Sequence, residues 1–157
     1  MATSNVFGGQ VIARGGLYSS VIVTALSDGN ATLTGAQLVG GLFTITPGAD
    51  RTLTLENAQL VRAALPQDFA VGDALTFTIC NNAAGGGTTG AIVAVAAGIT
   101  DGTAGGAQLA VEGSLAGGAA ASNSGAGTFM LRCTNAGVYA PSTNTYTLAA
   151  FTLYRVG

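Results

Sequence analysis

Arg51-Thr-Leu-Thr-Leu-Glu-Asn-Ala-Gln-Leu-Val-Arg-Ala-Ala-Leu-Pro-Gln-Asp-Phe-Ala-Val-Gly-Asp-Ala-Leu-Thr-Phe-Thr-Ile-Cys-Asn-Asn82 is the stretch whose reading decides the fold. From Arg51 to Leu55, Leu53 and Leu55 share one face and Thr52 and Thr54 the other, the two-residue period of a half-buried strand. The period then changes. From Asn57 onward, Leu60, Val61, Ala64 and Leu65 fall on one helical face, with Gln59 and Arg62 opposite. Asn57 can cap the free amides of the first turn, Glu56 lies at the positive end of the dipole, and Pro66 stops propagation. A helix of about two turns near residues 57–65 is marginal alone, so its apolar face must close one end of a core. After Val71-Gly72-Asp73 the alternation returns, with Leu75, Phe77 and Ile79 inward.

Outward from this stretch the chain continues in short β-rich runs. Leu17 to Leu26 reads as a strand that stops at the turn signal Ser27-Asp28-Gly29-Asn30. Ala31 to Val39 and Leu42 to Thr46 read as two strands of a hairpin, separated by Gly40-Gly41 and ended by Pro47-Gly48. On the other side, Ala91 to Ala97 and Ala107 to Val111 are expected strands, followed by a small-residue loop from Gly117 to Gly127. Thr145 to Val156 is expected to be the last and longest strand. Apolar residues on both its faces place it at a sheet centre or a subunit interface. Residues 1–16 are small, polar and Gly-rich and form an N-terminal arm or an edge segment; residues 17–157 form a single β domain. Eight to ten short strands with one small helix predict an all-β chain, a β-sandwich or jelly roll. A solenoid would need a sustained repeat, and none is read here.

Thr76-Phe-Thr-Ile-Cys-Asn81 is echoed by Thr128-Phe-Met-Leu-Arg-Cys-Thr-Asn135. In the second copy Phe129, Leu131 and Cys133 share a face, whereas Cys80 lies opposite Phe77 and Ile79. Unless a bulge intervenes, the two sulfurs point to different layers, which argues against a disulfide.

Charge is the most unusual property. Only 8% of residues are charged, against about a quarter in ordinary soluble domains. The cations are Arg14, Arg51, Arg62, Arg132 and Arg155, with no lysine and a net charge of −2. Cations so few and scattered make no phosphate-binding stripe, so nucleic acid is not an expected partner. Sheet edges without lysine are poorly protected from pairing, so much of the surface is expected to be covered by neighbours. No run approaches the ~18 apolar residues of a membrane span, and the first residues lack a secretory leader, which predicts synthesis in a cytosol and no membrane partner.

The chain contains no histidine and no Cys-x-x-Cys spacing, which removes most zinc and haem readings and every His-dependent triad. The acids are Asp28, Asp50, Glu56, Asp68, Asp73, Asp101 and Glu112, most of them beside Gly, Asn or a helix start, where turn and cap roles account for at least five. Gly85-Gly86-Gly87-Thr88-Thr89 lacks the Gly-Lys-Thr ending of a phosphate loop and no helix is expected after it. Asp28-Gly-Asn30 falls short of a calcium loop. Phe7, Tyr18, Tyr139, Tyr146 and Tyr154 are expected in core or interface rather than on a sugar. No catalytic, cofactor-binding or metal-ligating residue is nominated, and the chain is not expected to be an enzyme.

Taken together, Leu53 to Pro66, Val71 to Asn81, Thr128 to Asn135, and Tyr146-Thr-Leu148 with Leu153-Tyr-Arg155 resemble small β-sandwich decoration, cement and fibre-type proteins of tailed phages and some large DNA viruses. The resemblance spans about Arg51 to Val156 and implies a virion structural protein. Specifically, it implies a homotrimer on the capsid surface that docks on the major capsid protein and stabilises the shell, with the N-terminal arm contacting the shell or the adjacent subunit. The alternative it implies is a receptor- or glycan-binding fibre or tip domain, engaging a glycan through Gly117 to Gly127 or Ala136 to Asn144. A carbohydrate-active enzyme, a third class, would require two acids converging in a cleft.

Overall fold

The Thr/Leu alternation of Arg51 to Leu55 buries Leu53 and Leu55 completely against a core that two sheets share. The computed structural model describes residues 5–7, 10–12, 21–83, 89–103, 110–112, 125–140 and 145–156. Strands β1 (Asn5–Phe7) and β2 (Gln10–Ile12) pair with each other as an antiparallel ribbon. Next come β3 (Ile22–Ala25), β4 (Ala31–Leu33), α1 (Gly35–Gly40), β5 (Gly41–Ile45), β6 (Arg51–Leu55), α2 (Ala58–Ala64), β7 (Ala74–Asn81) and β8 (Gly90–Ala94). The chain ends with β9 (Ile99–Asp101), β10 (Ala110–Glu112), β11 (Gly125–Asn135), a second ribbon of β12 (Val138–Ala140) and β13 (Thr145–Thr147), and β14 (Ala150–Arg155). The fold is mostly β. No helix among the described residues is long and apolar enough to cross a membrane.

The order is β3-β5-β7-β11-β14-β9 in the larger sheet and β10-β8-β6-β4 in the smaller one. From β3 to β11 the chain changes sheet at every step, so β3, β5 and β7 lie side by side and parallel in one sheet, and β4, β6 and β8 do so in the other. Parallel neighbours need a crossover, and here the visit to the opposite sheet supplies it. The first half is thus wound as a short coil stack. Its turns differ in length: Ile22 pairs with Gly41, 19 residues on, whereas Leu42 pairs with Thr78, 36 residues on. That inequality is why no sustained repeat is legible. The second half closes the sheets with antiparallel strands, β10 on β8, β11 on β7 and β14 on β11. The sheets are therefore mixed, where a jelly roll would be antiparallel.

The expected hairpin over Ala31 to Thr46 is replaced by β4, α1 and β5, whose strands lie in different sheets. Thr34 and Gln37 form a capping box at the start of α1, and Gly41, at φ +85°, ends it in the left-handed conformation that glycine tolerates. Gly40-Gly41 thus terminates a helix instead of joining two strands. Helix α2 forms where the sequence places it, with the Asn57 side chain accepting from Leu60 N at 3.1 Å. Its buried face is Ala58, Val61 and Leu65, while Leu60 is 48% exposed. Glu56 does not serve α2; its Oε2 accepts from Gly35 N at 2.8 Å and so caps α1 of the preceding coil.

The two helices stack at one corner of the coils because Gly35 lets them touch. A Cβ there would lie 2.8 Å from Val61 Cα and 2.9 Å from Ala64 Cβ. At the sheet centre, Phe77 and Phe129 face each other across the β7–β11 ladder with ring centroids 5.3 Å apart and stacked, and Phe43 meets Phe77 edge-on at 6.1 Å. Such pairs add about 0.5–1.5 kcal/mol each to the burial of the rings. The expected strand from Thr145 to Val156 is broken into β13 and β14 at Leu148-Ala149, and β11, with 11 residues, is longer. Ala149, Phe151 and Leu153 do share the inward face, and β14 lies inside its sheet between β11 and β9.

Candidate functional site

Five of the seven acidic residues accept hydrogen bonds from the backbone. Asp28 Oδ1 accepts from Gly48 N at 3.1 Å and pairs with Arg51 Nε at 2.7 Å; Asp50 Oδ1 accepts from Gly90 N at 2.7 Å. Asp73 Oδ2 accepts from Ala70 N, and Asp101 Oδ1 from both Thr103 N and Thr103 Oγ1. With Glu56 on Gly35, five of the acids are turn braces or caps, as their sequence neighbours suggested. The Arg51 guanidinium, followed by the Gly48 amide, holds the Asp28 carboxyl below its ordinary range, and Asp28 in turn raises Arg51. Both side chains are substantially exposed, so this pair braces a turn and builds no cleft.

Cys80 and Cys133 are free thiols. Cys133 is fully buried on the Phe129–Leu131 face, where burial pushes its thiol up, partly offset by the charge of Arg62. Cys80 lies half-buried on the other face of β7, as the alternation predicts. No group of three or more His, Cys, Asp or Glu among the described residues could hold a metal. The segment after Asn82 that superficially resembles a phosphate loop leads into strand β8. Residues 84–88, 104–109, 113–124 and 141–144 lie outside the described residues, and with them most of the 117–127 loop and the 141–144 part of the 136–144 segment considered for a glycan; Val138–Ala140 of the latter forms β12 instead of loop.

Asn81 went unremarked in the sequence. It is fully buried at the end of β7, its Nδ2 donating to Thr89 O at 2.9 Å and Val111 O at 3.0 Å, its Oδ1 accepting from Ala83 N at 3.0 Å. One amide therefore ties the larger sheet to the entrance of β8 and to β10. Its signal was an Asn ending an alternating strand on the inward register after Phe77 and Ile79.

The surface feature that stands out is apolar. Strand β3 is an outer strand of the larger sheet, paired on one side with β5. Val21, just before it, and Ile22 and Val23 within it are 59%, 62% and 57% exposed, so apolar side chains are open on both faces, and among the described residues no strand pairs with its outer edge. Beside it an open groove of about 410 Å³ is lined by Val21, Val39, Gly40, Gly41, Leu42, Thr76 and Thr78, none of them charged. The groove exists because Gly40 and Gly41 contribute no side chains where α1 turns into β5. Such an edge can extend a sheet with another strand and accept an apolar side chain next to it. Comparison of the chain with family models, with curated proteins and with solved structures finds no match in any of the three.

Proposed function

We propose that this chain is a structural protein of a virion: a homotrimer on the capsid surface that docks on the major capsid protein and stabilises the shell, without catalysis and without a cofactor. The observation that carries the reading is the open, uncharged apolar edge at Val21–Ala25 on a chain that has no lysine to protect it. A free monomer with such an edge is prone to uncontrolled pairing; an assembled protein has it covered. Five of the seven acids and the buried Asn81 are engaged in holding turns, a helix start and strand ends. In this reading the two sheets are the layers of a β-sandwich whose first half is coiled, in place of jelly-roll connectivity.

Light scattering of the full chain at micromolar concentration tests the reading. Three chains per particle are expected, and a stable monomer contradicts it. Specific binding to a glycan array without binding to capsids would favour the receptor-binding alternative instead.

A further inference from the structure

We propose that the free edge of β3 is the seat of the N-terminal β1–β2 ribbon of a second copy of this chain, an inference that rests on the homotrimer reading above. An isolated two-stranded hairpin is marginal in water and needs a third strand or a packed face to persist. Among the described residues the ribbon pairs only as its own two-stranded sheet, and β3 pairs with β5 on one side only. Among the described residues no strand flanks the ribbon and none lies beyond β3 in the larger sheet.

Among the described residues the two main sheets have four outer strands, and their chemistry selects β3. β9 ends in Asp101, which is folded back onto Thr103, and β10 ends in Glu112. β4 has three residues and runs directly into the Thr34 cap of α1. β3 has four residues, no charge and exposed apolar side chains on both faces. The ribbon sequences, Asn5-Val-Phe7 and Gln10-Val-Ile12, are likewise uncharged and one residue shorter than β3. Ten residue steps separate Ile12 from Ile22, which can span at most roughly 33 Å when extended. That is enough to reach a neighbouring subunit across an interface.

The arrangement also fits the stoichiometry. A contact between two different surfaces, ribbon on one copy and β3 on the next, is heterologous and can close into a ring of three. Direct pairing of two β3 edges would be isologous and would give a dimer.

The test is the mass in solution of the full chain, of a variant lacking residues 2–12, and of Val23→Lys, with Val71→Lys as a control at an equally exposed site away from β3. Circular dichroism verifies that each variant is folded, and the deletion leaves every strand of the two main sheets intact should Val23→Lys misfold. The full chain and Val71→Lys are expected at about three times 15.3 kDa, and both the deletion and Val23→Lys at the mass of a single copy of their own chain. If the full chain is trimeric and both the deletion and Val23→Lys remain so, the ribbon-to-edge contact is wrong while the trimer stands. If only Val23→Lys dissociates, the edge is used but the ribbon is not its occupant, which also overturns the proposal. A dimeric full chain indicates edge-to-edge pairing and refutes both, and a monomeric full chain removes the trimer on which the proposal rests.

Discussion

Replacing Gly35 by Ala probes the contact on which the coiled half depends. Gly35 is buried in the first turn of α1 and faces α2, where an added Cβ would meet Val61 Cα at 2.8 Å, Ala64 Cβ at 2.9 Å and Leu60 O at 3.0 Å. Two of these three atoms are backbone, so no rotamer change relieves the clash; the helices must separate by several tenths of an ångström. Overpacking of this kind costs about 1–3 kcal/mol, and the better helix propensity of Ala returns at most about 1 kcal/mol. Separation would also stretch the 2.8 Å bond from Gly35 N to Glu56. A net loss of about 1–2 kcal/mol follows, or roughly 2–8 °C in Tm for a domain of this size. Gly29→Ala is the matched control, because nothing lies within 4 Å of its Cβ. Thermal unfolding at one fixed protein concentration reads the difference, since the Tm of an oligomer moves with concentration. Gly35→Ala as stable as Gly29→Ala would refute the stacked-helix corner.

Three further outcomes follow from the same structure. Asn81→Ala strands the carbonyls of Thr89 and Val111 and the amide of Ala83, so urea unfolding is expected to show a loss of about 2 kcal/mol or more; a loss below about 0.5 kcal/mol would contradict the clip. The Asp28 carboxyl is held low in the folded chain, so the stability it contributes is present above its unfolded value near 3.8 and is lost as pH falls through the folded one. The gap between wild type and Asp28→Asn should therefore close in acid, below about pH 4, and narrow in high salt; a gap that widens in acid would reverse the assignment. Alkylation followed by mass spectrometry should modify Cys80 in the native protein and Cys133 only after unfolding, and a Cys80–Cys133 disulfide would contradict the opposite-face placement.

Where burial alternates strictly, the sequence spelled out the structure: Leu53 and Leu55, Phe77 and Ile79, and Phe129, Leu131 and Cys133 all point inward as their spacing requires. Helix α2 was legible because a cap, an apolar stripe and a proline coincide within a few residues. Helix α1 was not, because Gly35, Val39 and Gly40 are poor helix formers and tertiary packing against α2 overrides that preference. A signal for it was nevertheless present. Ala36-Gln37-Leu38-Val39 recurs as Ala58-Gln59-Leu60-Val61, 22 residues on, the same offset at which Ala31 of β4 pairs with Leu53 of β6. The second helix starts one residue later after its strand, so the tetrapeptide turns a different face inward: Leu38 is buried in α1, Val61 in α2, and Leu60 is left exposed. That slip leaves Leu60 exposed although its spacing places it on the apolar face. Strand partners were illegible for another reason, since turns of unequal length conceal the coil. The edge at Val21–Ala25 lies within a run that the sequence marks as β-rich, but only the sheet order shows that it is outermost among the described strands.

The most direct test of the central claim is the position and copy number of the protein on purified virus particles, read by immunogold labelling and quantitative mass spectrometry. A capsid-stabilising trimer predicts many copies spread over the shell, in fixed ratio to the major capsid protein, with particles that lose heat or salt resistance when it is removed. A few copies confined to a vertex or tail, on particles whose shell is equally robust without it, would contradict the account.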